Sequence, residues 1–593
     1  MTAEQRAPEF DPVLLAVLQN RFEGVVREMT NTLLRTGRSA ILNTARDFSC
    51  SLVTADHQML SSAEGLPVHV MGSQLLSRSM YRHHPDFVEG DAFIHNDPYD
   101  GNTHHADHTI LVPVFFEGEH VMTAMAKAHQ ADTGNSQPTT YAAYARDIYE
   151  EGAVNFPCVQ VQRDFADIDD IIRMAKRRIR VPEQWYGDYL AGVGAARVGE
   201  RRVKEVFGKY GRETVRDFIT HWFDYSERVM ADQIRRMPKA RLIATGRHDT
   251  IPAVGHDIPL TATIDIDPEE ARITVDLRDN MDCLPCGYNM SEATTLATAM
   301  TGIFNQVDED IPHNEGTFRR IAVLLRENCI TGKPAHPLSA SVATTNIADR
   351  VINMIQSAFA ELGPEYGLAE GAVGQGTGIA VASGTDARRG DALYINQLFL
   401  ASSGGPGSRS ADGWGFFGIP VDGGIQYRDS IEIDERKYPI LVHETRVVQD
   451  SEGAGRFRGG MGGRIVYGPT ERPMNVMYTR DGAENLPRGV RGGMSPTPHR
   501  VYLIDRDGGL TEQPGAANIR LIPGQLIGND TNGGGGYGDP AERDPELVRL
   551  DVERGFVSPG RAADVYRVVV TVDDRGIAHV DQEATRARRA DVR

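Results

Sequence analysis

The sequence is poor in several features that define common classes of protein. Only five of its 593 residues are cysteines, an odd and small number that argues against a disulfide framework and favours a reducing compartment. It contains no run of about 18 apolar residues, so we expect no membrane-spanning helix. The first twenty residues carry charges at Glu4, Arg6, Glu9 and Asp11, unlike a signal peptide. These absences predict a cytoplasmic protein.

Positive charge is also scarce. The net charge is −19, whereas binding of nucleic acid requires a lysine- and arginine-rich surface that displaces the counterions of the phosphates. No basic run or basic patch with interleaved aromatic residues offsets this balance. We therefore expect no nucleic-acid partner.

Several catalytic motifs are missing as well. The chain has no Gly-x-x-x-x-Gly-Lys-Ser/Thr phosphate loop and no Gly-x-Ser-x-Gly nucleophile elbow. The glycine-rich stretch Gly533 to Gly538 lacks the lysine of a phosphate loop and is predicted to be a flexible turn. A single Cys283-x-x-Cys286 pair is too few ligands for structural zinc, and a turn between strands is favoured. Arg350, in an apolar helical context, either orients a substrate or forms a buried ion pair.

The pattern of apolar residues predicts an α+β, multidomain protein. Asp11-Pro12 is typical of a helix start, and alternation on both sides of Asp267–Glu270 predicts a hairpin. The metal-binding core is expected to be mixed α/β, with a helical insertion and a β-rich C-terminal domain. The predicted units are an N-terminal helix with a metal-binding hairpin core (1–163), a helical segment (164–240), an α/β central domain (241–403), a glycine-rich β domain (404–540) and a C-terminal helical tail (541–593).

Histidines are concentrated in one part of the chain. Ten of the 18 lie between residues 57 and 129, and a strand from Thr109 to Phe116 is followed by a turn and a returning strand that ends at His129. If Phe116 pairs with Glu119, residue 129 lies opposite residue 106, beside His104 and Asp107. Strict alternation along a strand would put the side chains of His104 and Asp107 on opposite faces. We therefore place His104 in the loop before the strand. Two imidazoles and a carboxylate suit zinc, manganese or ferrous iron.

Several segments in a fixed order resemble one enzyme family, that of the B subunits of hydantoinases and oxoprolinases and the large subunits of acetone and acetophenone carboxylases. The resembling segments span almost 500 residues: Asp47-Phe48-Ser49-Cys50, Pro67-Val68-His69, Asn96-Asp97-Pro98-Tyr99, Thr103-His104 with Asp107, Ala128 to Asp132, Ile148 to Gly152, and Gly533 to Asp539.

The resemblance implies a divalent-metal site and a catalytic partner. The metal ligands it implies are His104, Asp107 and His129, with Asp47 as a further ligand. His69 and Glu151 stand in family motifs near these ligands and are candidate general bases or acids. ATP and magnesium are expected on a separate hydantoinase A-like subunit, which gives a hetero-oligomer and agrees with the missing phosphate loop.

The substrate implied by the resemblance is a cyclic amide activated by phosphorylation, or alternatively a ketone that becomes carboxylated. Gln130 and the segment Asp132 to Asn135 depart from the pattern of many hydantoinase-type members, which favours a substrate other than a simple hydantoin or 5-oxoproline. Two other classes stay open, a mononuclear iron oxygenase and a scaffold subunit without catalysis of its own. Oxygen-dependent turnover without ATP would identify the oxygenase, and turnover that survives loss of His104 and Asp107 would identify the scaffold.

Overall fold

A computed structural model describes residues 10–63, 65–252, 254–255 and 257–590, so the charged residues before Phe10 lie outside the described residues. The predicted first helix, α1, begins at Pro12, and Asp11 caps it by accepting a hydrogen bond from the Val13 amide at 2.9 Å. The N-terminal elements are α1 (Pro12–Thr36), β1 (Phe48–Thr54), β2 (Met59–Ser62), α2 (Pro67–Val70), α3 (Ser73–His83), β3 (Ala92–His95), β4 (Asp107–Phe116), β5 (Glu119–His129), α4 (Ile148–Glu151), β6 (Val159–Arg163), β7 (Ala166–Asp167), α5 (Asp169–Arg178), α6 (Pro182–Tyr210) and α7 (Arg212–Arg235).

One antiparallel sheet organises this N-terminal part. Its seven strands run in the order β2-β1-β5-β4-β3-β6-β7. The predicted helical segment supplies α6, which packs on α1, β4 and β5 and shares a single hydrophobic core with the sheet. The central strands of the sheet, β4 and β5, are therefore buried, and polar side chains at their ends are held in fixed positions.

The central and C-terminal parts contain three further sheets of four, four and five strands, and a short hairpin. The predicted hairpin is confirmed, because β9 and β10 pair with Arg272 opposite Asp267. The remaining elements are β8 (Ala240–His248), β9 (Ile258–Asp267), β10 (Arg272–Asp276), α8 (Glu292–Phe304), α9 (Glu315–Phe318), β11 (Ile321–Leu324), α10 (Ile347–Ala358), β12 (Ile379–Asp386), β13 (Ala392–Phe399), α11 (Ile431–Lys437), β14 (Ile440–Val447), β15 (Gly463–Pro469), β16 (Met474–Thr479), β17 (Arg500–Ile504), β18 (Leu510–Glu512), β19 (Ala516–Leu521), β20 (Leu526–Asp530), α12 (Pro545–Glu553), α13 (Pro559–Asp564), β21 (Val570–Val572), β22 (Ala578–Val580) and α14 (Gln582–Ala590).

The α+β fold class is confirmed by this mixture of sheets and helices. Within the described ranges, no helix has the length and apolarity needed to cross a bilayer. The predicted boundaries between the five units stay predictions.

Residues 533–537 of the glycine-rich stretch are buried, and the prediction of a flexible turn is wrong. A Cβ atom on Gly534 would lie 1.8 Å from the carbonyl oxygen of Gly405, and one on Gly459 would lie 1.9 Å from that of Gly534. Backbones approach here more closely than any side chain permits. Glycine is therefore required for packing and not for mobility.

Two buried carboxyl groups lie together at the start of α11. Asp429 Oδ2 accepts a hydrogen bond from the Phe399 amide at 2.9 Å, and both oxygens of Asp434 lack a hydrogen-bond partner among the described residues. Burial raises the pKa of Asp429, and the neighbouring Asp434 raises it further. Burial likewise raises the pKa of Asp434.

This pair predicts a stability that depends on pH. Because both pKa values are raised, the folded chain holds more protons than the unfolded chain above about pH 4, and its stability falls as the pH rises. Asp434→Asn should therefore stabilise the protein by roughly 1–3 kcal/mol at pH 8 and have little effect at about pH 4, near the ordinary pKa of aspartate. Thermal melts across this range test the prediction. Equal effects at both pH values would contradict it.

Candidate metal centre

The β4–β5 hairpin brings the sequence-predicted ligands together, with a register one residue away from the prediction. The structure pairs His129 with Asp107 and not with Ala106. A register shift between Val114 and Phe115, which is a β-bulge in the hairpin, accounts for the difference. His104 lies in the loop before β4, as predicted, since β4 begins at Asp107.

Asp107 is the centre of the site. Its Oδ1 lies 3.0 Å from Nε2 of His104 and 3.1 Å from Nδ1 of His129. All three side chains are buried, and one ligand atom of each lies within 4.8 Å of the others. A group of this size and composition can hold one metal ion.

Asp47 and His69 lie beside these three residues. The last residue of β5, His129, donates its backbone amide to the carbonyl oxygen of Asp47 at 3.1 Å, because β1 pairs with β5. His69 Nε2 is 3.3 Å from Asp107 Oδ2 and 3.6 Å from Asp47 Oδ1. The structure therefore places five of the six sequence-predicted site residues, all except Glu151, in one cluster.

A layer of hydrogen bonds orients the cluster. His104 Nδ1–H donates to the carbonyl oxygen of Ser341 at 2.9 Å, so Nε2 is the ring nitrogen that faces Asp107. The Thr103 hydroxyl donates to Asp107 Oδ2, and the Lys127 ammonium group donates to that hydroxyl at 3.4 Å. These hydrogen bonds fix the orientations of the His104 and Asp107 side chains.

Burial and neighbouring charges both shift the pKa values of the groups in the cluster. Burial alone would raise the pKa of Asp107, but the neighbouring imidazoles, first His104 and then His69, outweigh it and hold that pKa well below its ordinary value. Burial acts to lower the pKa of His104, but the effect of the neighbouring Asp107 carboxylate is larger, and the pKa of His104 is raised overall. Burial lowers the pKa of Lys127 to about 8. An ionised carboxylate among imidazoles attracts a cation.

Glu151 lies outside this cluster, in the hydrogen-bond layer behind it. Its Oε1 is 3.1 Å from Nδ1 of His105, and its Oε2 accepts a hydrogen bond from the Ser339 hydroxyl at 2.8 Å. The Ser341 amide donates to the Ser339 hydroxyl at 3.3 Å, and Ser341 in turn holds His104. This position favours an orienting role, while the predicted catalytic role of Glu151 stays a prediction.

We expect Glu151→Gln to weaken zinc binding by about 10- to 100-fold, because it loosens the segment that orients His104. Competition with a chromogenic chelator measures the affinity. Glu150→Gln is the matched control, since that neighbouring carboxylate is partly exposed and pairs with Arg146. A lower kcat with unchanged zinc affinity would instead support direct catalysis by Glu151.

Most of the clustered histidines do not join the site. His57 and His120 belong to an aromatic cluster around Tyr81, and His83 and His95 lie near Asp100. His108 accepts a hydrogen bond from the Trp185 indole at 3.2 Å, on the opposite face of β4 from Asp107. Clustering in sequence therefore overstates the number of ligands.

A small cavity of about 30 Å³ lies against the cluster and has two walls. Asp47, His69 and His129 contribute the first wall. The second wall comes from residues 340–480, which sequence reasoning missed because no local pattern marks them. Its polar members are Thr344, Thr345, Gln375, Asp422, Gln426 and Thr479.

Asp422 is the carboxyl group of the second wall. It is only 4% exposed, and its Oδ2 has no hydrogen-bond partner among the described residues. Burial raises its pKa well above the ordinary value, and the carboxylates of Asp47 and Asp349 raise it further.

Arg350 does not line this cavity. Its guanidinium group makes two hydrogen bonds to the Asp481 carboxylate, at 2.7 and 2.9 Å, and the side chain is 3% exposed. Of the two interpretations that the sequence left open, the structure shows the buried ion pair.

The chain belongs to the hydantoinase B/oxoprolinase family, whose model matches residues 11–540. It is 30% identical to caprolactamase subunit beta of Pseudomonas jessenii, over 98% of this chain and 99% of that one. It is 24% identical to the acetophenone carboxylase delta subunit of Aromatoleum aromaticum, over 98% and 89% of the two chains. The crystal structure of the ATP-dependent caprolactamase from Pseudomonas jessenii superposes with a TM-score of 0.88 at 28% identity, covering 98% of this chain and 99% of that one.

Proposed function

We propose that this chain is the metal-carrying subunit of an ATP-dependent enzyme that hydrolyses a cyclic amide. It acts in a cytoplasmic hetero-oligomer with a hydantoinase A-like subunit, which binds ATP and magnesium and phosphorylates the amide oxygen. The buried group of His104, Asp107 and His129 is the observation that carries the proposal. Similarity over nearly the whole chain to caprolactamase subunit beta supports a cyclic amide as the substrate class.

The donor set fits a divalent transition metal. Imidazole nitrogens with carboxylate oxygens suit zinc, manganese or ferrous iron better than calcium or magnesium, which prefer oxygen ligands alone. The residues that would hold the ion are His104, Asp107, His129 and Asp47. An ion of this kind acts as a Lewis acid, which polarises a carbonyl oxygen or lowers the pKa of a water molecule.

His69 is the candidate proton acceptor of the reaction. It lines the cavity, and its Nε2 faces the carboxylates of Asp47 and Asp107. From this position Nε2 can take a proton from the attacking water and return it to the leaving nitrogen. The position of His69 inside the cluster also makes it an alternative ligand.

The cavity has room for a water molecule beside the cluster, because its volume of about 30 Å³ exceeds the roughly 10–15 Å³ that one water molecule needs. A water molecule there lies within reach of the side chains of both walls.

A second candidate function is the carboxylation of a ketone, which the similarity to the acetophenone carboxylase delta subunit favours. In this version the same cluster would stabilise an enolate while a carbon–carbon bond forms with carbon dioxide. Both functions share the phosphorylating partner.

The test is turnover by the chain assembled with its A-type partner subunit, with ATP and a panel of ε-caprolactam, hydantoin, 5-oxoproline, acetone and acetophenone. We expect ATP-dependent opening of a cyclic amide, together with about one transition-metal ion per chain by plasma mass spectrometry. His129→Ala should lose both the metal and the activity.

Each alternative gives a different result in this experiment. Bicarbonate-dependent consumption of a ketone would establish the carboxylase, and oxygen-dependent turnover without ATP would establish an iron oxygenase. Full activity of the complex with both His104→Ala and Asp107→Ala would mean that the chain is a scaffold.

A further inference from the structure

Tyr141 lines the cavity beside the candidate metal centre and is 5% exposed. The centroid of its ring lies 6.1 Å from that of His129. The side-chain amide of Gln397 donates a hydrogen bond to the phenolic oxygen at 2.6 Å. The hydrogen of the Tyr141 hydroxyl has no acceptor among the described residues. The protein therefore satisfies this hydroxyl as an acceptor and leaves it free as a donor.

A chain of hydrogen bonds connects this hydroxyl to a metal-binding candidate. Nε2 of His129 lies 3.2 Å from the Thr140 hydroxyl, which donates to Oε1 of Gln397 at 3.5 Å. Nδ1 of His129 faces Asp107 and is the nitrogen that would bind the ion, so the hydrogen of the ring is on Nε2 and is donated to Thr140. Thr140 then donates to Gln397, and Gln397 donates to Tyr141. This order leaves the Tyr141 O–H as the donor at the end of the chain.

Charged groups on both walls of the cavity act on the Tyr141 hydroxyl. Burial raises the pKa of Tyr141 well above its ordinary value, and the carboxylates of Asp47, on the first wall, and Asp422, on the second, raise it further. These effects fall off with distance, so the phenolic oxygen lies near both walls. The raised pKa keeps the hydroxyl protonated. Tyr141 is thus a neutral donor in the cavity.

The activated substrate offers an acceptor that the unactivated one lacks. Phosphorylation of a secondary amide on oxygen, with loss of the N–H proton, leaves a C=N bond whose nitrogen has a lone pair and no hydrogen. When water adds to the carbon of this bond, the electron pair of the C=N bond moves onto the nitrogen, where negative charge grows. A donor directed at this nitrogen therefore stabilises the transition state more than the ground state.

We infer that Tyr141 is a catalytic residue whose O–H donates a hydrogen bond to the nitrogen of the O-phosphorylated amide. The inference rests on the proposed function. Tyr141 keeps its hydrogen throughout, and proton transfer remains the role of His69. An unphosphorylated lactam would turn its own N–H toward this donor, so the contact also distinguishes the activated substrate from the unactivated one.

The experiment uses two probes of the zinc-loaded full chain, O-methylcaprolactim, a stable O-alkylated amide with the same C=N bond, and ε-caprolactam, which has an N–H. Ligand-observed NMR measures both Kd values at a pH at which the lactim nitrogen is unprotonated. Wild type is compared with Tyr141→Phe, which removes only the hydroxyl. Tyr467→Phe is the matched control, because Tyr467 is also buried and donates its hydroxyl to the Thr377 carbonyl, and neither of these two residues lines the cavity. Zinc content is measured for every variant.

We expect Tyr141→Phe to weaken the binding of O-methylcaprolactim by about 10-fold and to leave the Kd of ε-caprolactam and the zinc content unchanged. Tyr467→Phe should change none of the three quantities. An equal loss of affinity for both probes overturns the inference, because the hydroxyl would then not contact the nitrogen. Unchanged binding of O-methylcaprolactim by Tyr141→Phe overturns it too, as does loss of zinc from this variant or the absence of O-methylcaprolactim binding by wild type.

Gln397→Glu tests the direction of the hydrogen bonds. A carboxylate has no hydrogen to donate, so it accepts the Tyr141 O–H and turns this donor away from the cavity. The variant keeps the Tyr141 hydroxyl and should nevertheless lose affinity for O-methylcaprolactim, as Tyr141→Phe does. Wild-type affinity in Gln397→Glu would overturn the claim that the chain of hydrogen bonds directs the hydroxyl.

The proposed function has a separate readout. In the assembled complex, Tyr141→Phe should lower kcat for the cyclic amide by about 100-fold. If the wild-type complex hydrolyses no cyclic amide with ATP, the proposed function fails, whatever the probes bind. If the wild-type complex is active and Tyr141→Phe is equally active, only the assignment of Tyr141 fails.

Discussion

Asp107→Asn is expected to release the bound metal and to reduce turnover of the assembled enzyme by at least about 1,000-fold. The replacement keeps the shape of the side chain and removes the charge that His69, His104 and His129 surround. Lewis-acid stabilisation of a transition state contributes several kcal/mol, and each 1.4 kcal/mol corresponds to a factor of ten in rate. Metal content by plasma mass spectrometry and kcat for the lactam are the two measurements.

His108→Gln is the matched control for this variant. His108 follows Asp107 on β4 and is equally buried, but its contact is with Trp185 on the other face of the sheet. We expect it to keep its metal and its activity. If Asp107→Asn kept a full complement of metal, or if His108→Gln lost its metal as well, the assignment of the ligands would be wrong.

The second large effect concerns stability. Arg350→Ala should destabilise the protein by about 3–5 kcal/mol, because it leaves the buried carboxylate of Asp481 without its cation. Helix α10, which carries Arg350, also contacts the turn that carries Asp422, since Asp349 of the same helix accepts a hydrogen bond from the Val421 amide. Urea titration followed by tryptophan fluorescence measures the loss.

Arg241→Ala is the control for an exposed ion pair. Arg241 and Asp265 face each other at 3.2 Å with 68% and 44% of their side chains exposed, and such pairs contribute about 0–1 kcal/mol. Comparable losses in the two variants would show that burial does not determine the strength of the Arg350 pair. If Arg350→Ala were as stable as wild type, the alternative role of Arg350 in orienting a substrate would be favoured instead.

The residues of the candidate site that the sequence places together, and that the structure also places together, are near neighbours along the chain. A two-residue turn between strands brings His129 beside the loop of His104, and this depends only on residues 104–129. The one-residue error in the register arose because a β-bulge leaves no clear mark in the apolar pattern. Asp47 and His69 are identified by resemblance. The pairing of β1 with β5 holds Asp47 beside His129, and the packing of α2 on β1 accompanies the position of His69 near Asp107.

The sequence by itself determined the family, the α+β class, the first helix, the central hairpins and three metal-binding candidates. These follow from local periodicity, turn residues and short motifs, whose effects reach only a few positions along the chain. Only the tertiary structure decided that Glu151 stands behind the cluster, that Arg350 pairs with Asp481, and that Asp422 faces the site from about 300 residues away in sequence. Such contacts depend on how distant segments pack together, and the spacing of residues along a chain carries no record of that packing.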